Sequence, residues 1–156
     1  VIKIPINSEI IEAAESRAKK MGMLNNSITQ GEGSVAGFIG EHIVADILNG
    51  MIEDTYDYDI VLKNNDTVDV KTKRVSSEPK DYYSCSVAKF NTKQKCTYYA
   101  FTRVMTNMSA AWYLGKIKKE QFYDIATFHK RGDIDINNNF IFRADCYNIC
   151  IRELEH

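Results

Sequence analysis

The sequence predicts an α/β protein with a central mixed β-sheet flanked by helices. Three observations predict it: two early stretches with apolar residues at helical spacing, a pair of short alternating segments behind them, and two later runs that are apolar almost throughout. At 156 residues the chain fits one domain with a sizeable core, and 44% hydrophobic with 26% charged residues is an ordinary globular balance. A single domain is expected over 1–153, with an N-terminal helix and loop (1–33), a core (34–118), and a C-terminal helix with late strands (119–153). Leu154, Glu155 and His156 match the start of a histidine tag, and no functional part is expected of them. No apolar run approaches a membrane span and the opening residues lack a secretory pattern, so the expectation is a cytoplasmic protein without a membrane partner.

Residues 9–21 read as the first helix. Ser8 is its expected cap, Glu9 and Glu12 sit near its positive end, Lys19 and Lys20 near its negative end, and Gly22 stops it. Ile10, Ile11, Ala14, Ala18 and Met21 form its packed face. A second helix is expected to open at Gly31-Glu32-Gly33-Ser34, with Ser34 as the cap, and to run to about Asn49. That glycine-rich turn lacks a following Gly-Lys-Ser/Thr and a preceding strand, so no nucleotide cofactor is expected there. Gly37, Phe38, Glu41, Val44, Ala45 and Leu48 share one stripe of this helix. Glu41 interrupts it, and a carboxylate on a buried face needs a cation, a hydrogen bond or a metal. His42, the next residue, belongs at the boundary or surface.

Residues 56–62 and 67–73 read as a hairpin with one apolar and one charged face. Asp57, Asp59 and Val61 fall on one side of the first strand, and Asp69, Lys71 and Lys73 on the matching side of the second. For Asp59 to share a face with Asp69 and Lys71 the loop must be of odd length. Asn64-Asn65-Asp66 meets this and places Asp59 opposite Lys71 and diagonal to Asp69. A weaker strand is expected over 82–87 and a loop or single helical turn over 90–95. Strong strands follow over 98–105 and 110–117, without charge at their centres, as in strands covered on both faces. A helix is expected over 118–128, packing through Phe122, Ile125 and Ala126, then an Asn-rich turn at 137–139 and short strands over 140–142 and 147–151.

The net charge of -1 conceals a division along the chain. Residues 1–62 carry four basic against ten acidic side chains; residues 63–103 carry nine against four. This basic middle, interleaved with Tyr82, Tyr83, Phe90, Tyr98 and Tyr99, suits a polyanion, with Lys73, Arg74, Lys89, Lys93 and Lys95 as candidate nucleic-acid contacts. Cys85, Cys96, Cys146 and Cys150 are widely spread, without the close pairs zinc prefers, and are expected to be reduced and mostly buried.

Asp59, nine residues, Asp69, one residue and Lys71, with Glu41 on the helix upstream, resemble the active-site signature of the PD-(D/E)XK nuclease superfamily. Gln94-Lys95-Cys96-Thr97-Tyr98 is similar to the Q-x-x-x-Y motif of its RecB-like and lambda-exonuclease-like branches. The resemblance covers about residues 34–118, and departs from the pattern at Tyr58, where the family has proline. It implies a restriction-endonuclease-like core of αβββαβ type and a DNA-cleaving enzyme. It further implies Mg²⁺, with Mn²⁺ as a substitute, held by Glu41, Asp59, Asp69 and the Val70 carbonyl, with Lys71 and Gln94 completing the catalytic set.

The chemistry accounts for those residue types. Phosphodiester hydrolysis brings water to an anionic phosphorus and must neutralise charge on its oxygens, which carboxylate-held Mg²⁺ and an adjacent lysine can do. Asp57, Lys73 and Arg74 lie beside this set. A compact enzyme of this kind suits an endonuclease, nicking, restriction-like or junction-resolving, and a homodimer, in preference to a processive exonuclease. The Asn, Lys, Ile and Tyr bias fits an AT-rich genome such as that of a phage. Two other readings compete: a nucleic-acid-binding domain that keeps the fold without cleaving, and a surface salt-bridge cluster worth ~0–1 kcal/mol per pair.

Overall fold

The longest alternating run in the chain becomes the axis of a computed structural model that describes residues 1–25 and 32–156, with side chains at all of these except 22–25 and 32–34. Strand β1 (Ile2–Pro5) leads into helices α1 (Ser8–Asn25) and α2 (Glu32–Leu48). Strands β2 (Met51–Ile52), β3 (Ile60–Val61) and β4 (Thr67–Val75) follow. Next come β5 (Ser84–Ala88), a 3-10 turn (Lys89–Lys93), β6 (Tyr98–Met105) and β7 (Ala110–Lys118). The chain continues through α3 (Lys119–Ile125), β8 (Thr127–His129), β9 (Ile134–Asp135), β10 (Phe140–Ile141) and β11 (Cys146–Cys150) to a last 3-10 turn.

The main sheet runs β1-β7-β6-β4-β3-β2, with β4 and β6 parallel and the other neighbours antiparallel. The predicted α/β class with a mixed sheet is therefore what the chain forms. A parallel pair needs a long crossover, and residues 76–97, carrying β5 and the first 3-10 turn, supply it. The weaker strand expected over 82–87 forms as β5, outside the main sheet: it pairs with β11, which pairs with β8, in a separate three-stranded sheet.

Alternation along β4 and β6 sorts side chains between two cores. Val68, Ala100 and Val104 face α1 and α2 with Ala14, Ala18, Phe38, Ile39 and Val44. Tyr99, Phe101, Leu114 and Ile117 face Phe122 of α3, Val87 and Ile149. The main sheet is thus the middle layer of three, which is why β6 and β7 carry apolar residues on both faces. At Gly40, α2 touches the sheet so closely that an added Cβ would run into the hydroxyls of Thr72 and Thr102.

Several boundaries differ from expectation for identifiable reasons. The Asn7 carboxamide accepts the Ile10 N–H at 2.9 Å, so Asn7 caps α1 and Ser8 lies within it; the helix also runs through Gly22. Met21 is 39% exposed and does not join the packed face. Helix α2 begins at Glu32, so Ser34 is inside the helix instead of capping it, and the expected turn residue Gly31 lies outside the described residues. The C-terminal helix stops at Ile125, which is exposed, because Thr127 to His129 pair with β11. Leu154 is buried, and Lys116 and Glu155 exchange backbone hydrogen bonds at 3.0 and 2.8 Å. The tail that resembles the start of a histidine tag therefore closes one edge of the second core. All four cysteines are free, Cys85 and Cys146 buried and Cys96 and Cys150 half-buried. Among the described residues no helix is long and apolar enough to cross a membrane.

Candidate active site

The hairpin register decides which charges meet. Ile60 pairs with Val68 and Val61 with Thr67, so continuing one step brings Asp59 level with Asp69. The sequence reading had placed Asp59 opposite Lys71. The loop is the reason: Asn65, not Asp66, takes the left-handed conformation (φ 67°) that closes a three-residue turn, and the turn is Lys63-Asn64-Asn65. The Leu62 and Asn65 amides bond across it, to Asp66 O at 2.8 Å and Leu62 O at 2.9 Å.

Beyond Ile60 the two strands part. Asp59 still donates its N–H to Val68 O at 3.0 Å, but its side chain ends the ladder by accepting the Val70 N–H on Oδ2 at 2.7 Å. Residues 56–59, expected as strand, are consequently held by turn bonds such as Tyr58 N–H to Thr55 Oγ1 at 3.0 Å. The other oxygen of Asp59 has no hydrogen-bond donor among the described residues. Asp59 titrates far above its ordinary 3.8, pushed up to about 7 by burial first, then by the negative charges of Glu41 and Asp69.

Asp69 is 3% exposed and level with Asp59. Lys71 Nζ forms an ion pair with the buried Asp69 Oδ2 at 2.6 Å. Burial raises Asp69 above the usual carboxylate range, and Lys71 opposes that shift. Lys71 also donates to Gln94 Oε1 at 3.1 Å, and Gln94 Nε2 donates to Tyr56 O at 2.9 Å. Gln94 thus ties the lysine to the loop that carries Asp59. The same loop is clamped by Asp57, whose Oδ1 accepts the Lys95 N–H at 2.9 Å, so Asp57 is spent on backbone.

Glu41 is 9% exposed, so the interruption in the helical stripe is a buried carboxylate, as its position predicts. Its partner was missed. Arg17 of α1 donates to Glu41 Oε2 at 2.6 Å and to Asp54 at 2.5 Å, and its guanidinium lies 4.1 Å from the Phe38 ring centre. Burial raises the Glu41 pKa, and Arg17 works against that. Arg17 stands three residues past the fully buried Ala14, beside the packed stripe, and that position was the signal available in the sequence.

Asp59, Asp69, Lys71 and Gln94 are therefore brought together with the Val70 backbone between them. Glu41 acts on Asp59 and Asp69 through its charge, with its carboxylate bound to Arg17. Among the described residues no group of three or more His, Cys, Asp or Glu side chains is close enough to enclose a metal ion. Asp59 and Asp69 nevertheless present hard oxygens suited to Mg²⁺. Asp69 Oδ2 is buried beside the Lys71 ammonium, and among the described residues the four carboxylates Glu41, Asp54, Asp59 and Asp69 are in ion-pair contact with two cations, Arg17 and Lys71. The Asp59–Asp69 pair has the donor chemistry a divalent cation takes, and the Glu41 carboxylate is already bound by Arg17.

The candidate nucleic-acid contacts divide. Lys89 and Lys93 line an open cleft with Phe90, Arg131 and Arg143, and Lys95 is exposed next to Gln94. Lys73 lies on the Asp69–Lys71 face, lining a cavity of about 270 Å³. Arg74 falls on the opposite face of β4, away from the others. No family model matches the chain, and no curated protein matches it.

Proposed function

We propose that this chain is a divalent-metal-dependent nuclease of the PD-(D/E)XK type that hydrolyses DNA phosphodiester bonds, as an endonuclease and not a processive exonuclease. One observation carries the reading: two carboxylates stand level across a parting hairpin, with a lysine on the same face in contact with one of them. The order of helix, hairpin and two following strands supports it, as does the open basic cleft along Lys89 and Lys93.

In this reading Asp59, Asp69 and the Val70 carbonyl would hold Mg²⁺, which supplies polarisation of a phosphoryl oxygen and acidification of a bound water. The chain's own residues do the rest. Lys71, fixed between Asp69 and Gln94, orients the attacking water and offsets charge on the phosphorus oxygens. Gln94 keeps that ammonium in place by anchoring at Tyr56, and Asp57 holds the same loop through the Lys95 amide. Arg17 holds the Glu41 carboxylate, which lowers the pKa of neither aspartate but fixes a negative charge near both.

A second reading, a nucleic-acid-binding module that does not cleave, is favoured by one observation: Arg17 already occupies Glu41. Incubating linear, nicked, branched and single-stranded DNA with the protein, in Mg²⁺ or in chelator, separates the two. Metal-dependent cleavage that falls at least ~100-fold in both Asp69→Ala and Lys71→Ala is the expected result. Cleavage undiminished in these variants overturns the nuclease assignment, and salt-sensitive DNA binding without cleavage selects the second reading.

A further inference from the structure

Four residues along β4 from Asp69, the same face encloses a cavity of about 270 Å³ whose wall includes Lys71 and Lys73 from β4, Arg103 from β6 and Arg143 before β11. Its remaining surface is largely apolar, with Phe101, Phe140 and Phe142 prominent. Arg103 is 5% exposed, and the only hydrogen bond its guanidinium makes among the described residues is from Nη2 to Ser84 O at 3.2 Å. The Lys73 ammonium is half-buried and sits 3.9 Å from the Phe140 ring centre.

None of Lys73, Arg103 and Arg143 has a carboxylate within ion-pair distance among the described residues, where Lys3, Arg17, Lys71 and Lys116 all do. The buried acid nearest in charge to Lys73, Asp135, is spent locally: it accepts from Ser84 Oγ at 2.9 Å and from the Asn137 N–H at 3.0 Å. Holding cations in a half-buried, aromatic-walled space without a counter-ion is costly, and a bound anion removes the cost. Burial, then the neighbouring Arg103, draws the Lys73 pKa below its ordinary value, as an unsatisfied cation would show.

We infer that this cavity binds a single nucleotide, its phosphate on Lys73, Arg103 and Arg143 and its base against Phe140. The volume of about 270 Å³ is just under the ~300 Å³ at which ligand pockets begin, room for one nucleotide of a strand that continues outside it. Guanidinium forks and an ammonium suit a phosphate, and the half-buried Phe140, backed by Phe142 that is itself buried and stacked on His129, offers apolar surface to a base without selecting its identity. Arg143 and Ala144 also line the open cleft, so a strand lying along Lys89 and Lys93 reaches the cavity directly. The inference rests on the proposed function for where the nucleotide comes from: it is one unit of a bound DNA strand and not a released product. Lys71 in the cavity wall would then put the bound phosphate next to the scissile position.

Calorimetric titration in chelator, with no cleavage possible, tests the cavity apart from the nuclease reading. The probes are thymidine 5′-monophosphate, thymidine and inorganic phosphate. The monophosphate is expected to bind at least ~10-fold more tightly than either fragment. Arg143→Ala, at an exposed position, is expected to weaken it at least ~5-fold with an unchanged melting temperature, and Lys73→Gln to do the same. Arg103→Met is the more drastic variant, and the two others carry the test if it fails to fold. Equal affinity for phosphate and monophosphate overturns the nucleotide assignment. So does binding unaffected by both Arg143→Ala and Lys73→Gln, or no binding at all at millimolar monophosphate, and each does so whether or not the protein cleaves DNA.

Discussion

The two ends of one face of β4 bury charge of opposite sign. At one end Asp59 and Asp69 stand together with Glu41 nearby, and Lys71 and Arg17 are drawn in to compensate. At the other, Lys73, Arg103 and the exposed Arg143 line a largely apolar cavity, and among the described residues no acid pairs with them. The acid end is partly neutralised by its own chain and the cation end is not. That difference separates the two proposals: in the proposed function the acids take one more cation, and in the further inference the cations take an anion from outside.

The largest expected effect comes from pH, which should act on the acid end alone near neutrality. Asp59 is raised from 3.8 to about 7, so the folded state keeps a proton that the unfolded chain releases between about pH 4 and about pH 7. Stability is then fully present below that window and falls as pH rises through it, by ~4 kcal/mol at most. Glu41 and Asp69 are shifted upward too and add to the same trend. Denaturant midpoints in chelator should drop from about pH 5 to about pH 8, and Asp59→Asn should flatten the slope. A wild-type midpoint that rises over this range breaks the account of the acid end.

Next in size is the loss of Arg17. Arg17→Met leaves Glu41 buried without its cation, which should cost ~3 kcal/mol in denaturant unfolding. The double variant Arg17→Met with Glu41→Leu should recover most of that loss, because two apolar chains replace a buried pair. If the double variant is as unstable as the single one, Arg17 stabilises through Phe38 and the α1–α2 packing, not through Glu41.

Gly40→Ala probes the neutral face behind both ends. The new methyl meets the Thr72 and Thr102 hydroxyls and must push α2 off the sheet, with an expected cost of ~1–3 kcal/mol. Since Glu41 is the next residue, the proposed DNA cleavage should fall with stability in this variant. Unchanged stability would mean that the helix is not seated where the Thr72–Thr102 contact, 2.8 Å between hydroxyls, implies.

How much of this was legible follows from the range over which each feature is decided. Strands β6 and β7 were readable because their residues are apolar on both faces, and β4 because its alternation is long. Glu41 was readable as a charge inside an apolar stripe. Strand β3 was overread, since a side chain of Asp59 and not the backbone ends the ladder at Val70. The second sheet was invisible because β5, β8 and β11 are short and meet only across long stretches of chain. The cation cavity was invisible for the same reason: Lys73, Arg103 and Arg143 are far apart in sequence and only Lys73 lay near a recognisable motif.

The smallest expected effect separates two neighbours that composition treats alike. Lys73 and Arg74 are adjacent bases at the end of β4, but the pleat turns Lys73 to the cavity and Arg74 to the α2 face, where it is exposed. Arg74→Ala should change stability by no more than ~0.5 kcal/mol. It should also leave DNA affinity nearly unaltered at moderate salt, while Lys73→Gln weakens it and lowers the slope of log affinity against log salt by about 1. Filter binding over a series of salt concentrations reads both. Should the two variants weaken DNA equally, the nucleic acid crosses the end of the sheet and not one face of it, and the distinction between the faces of β4 loses its functional meaning.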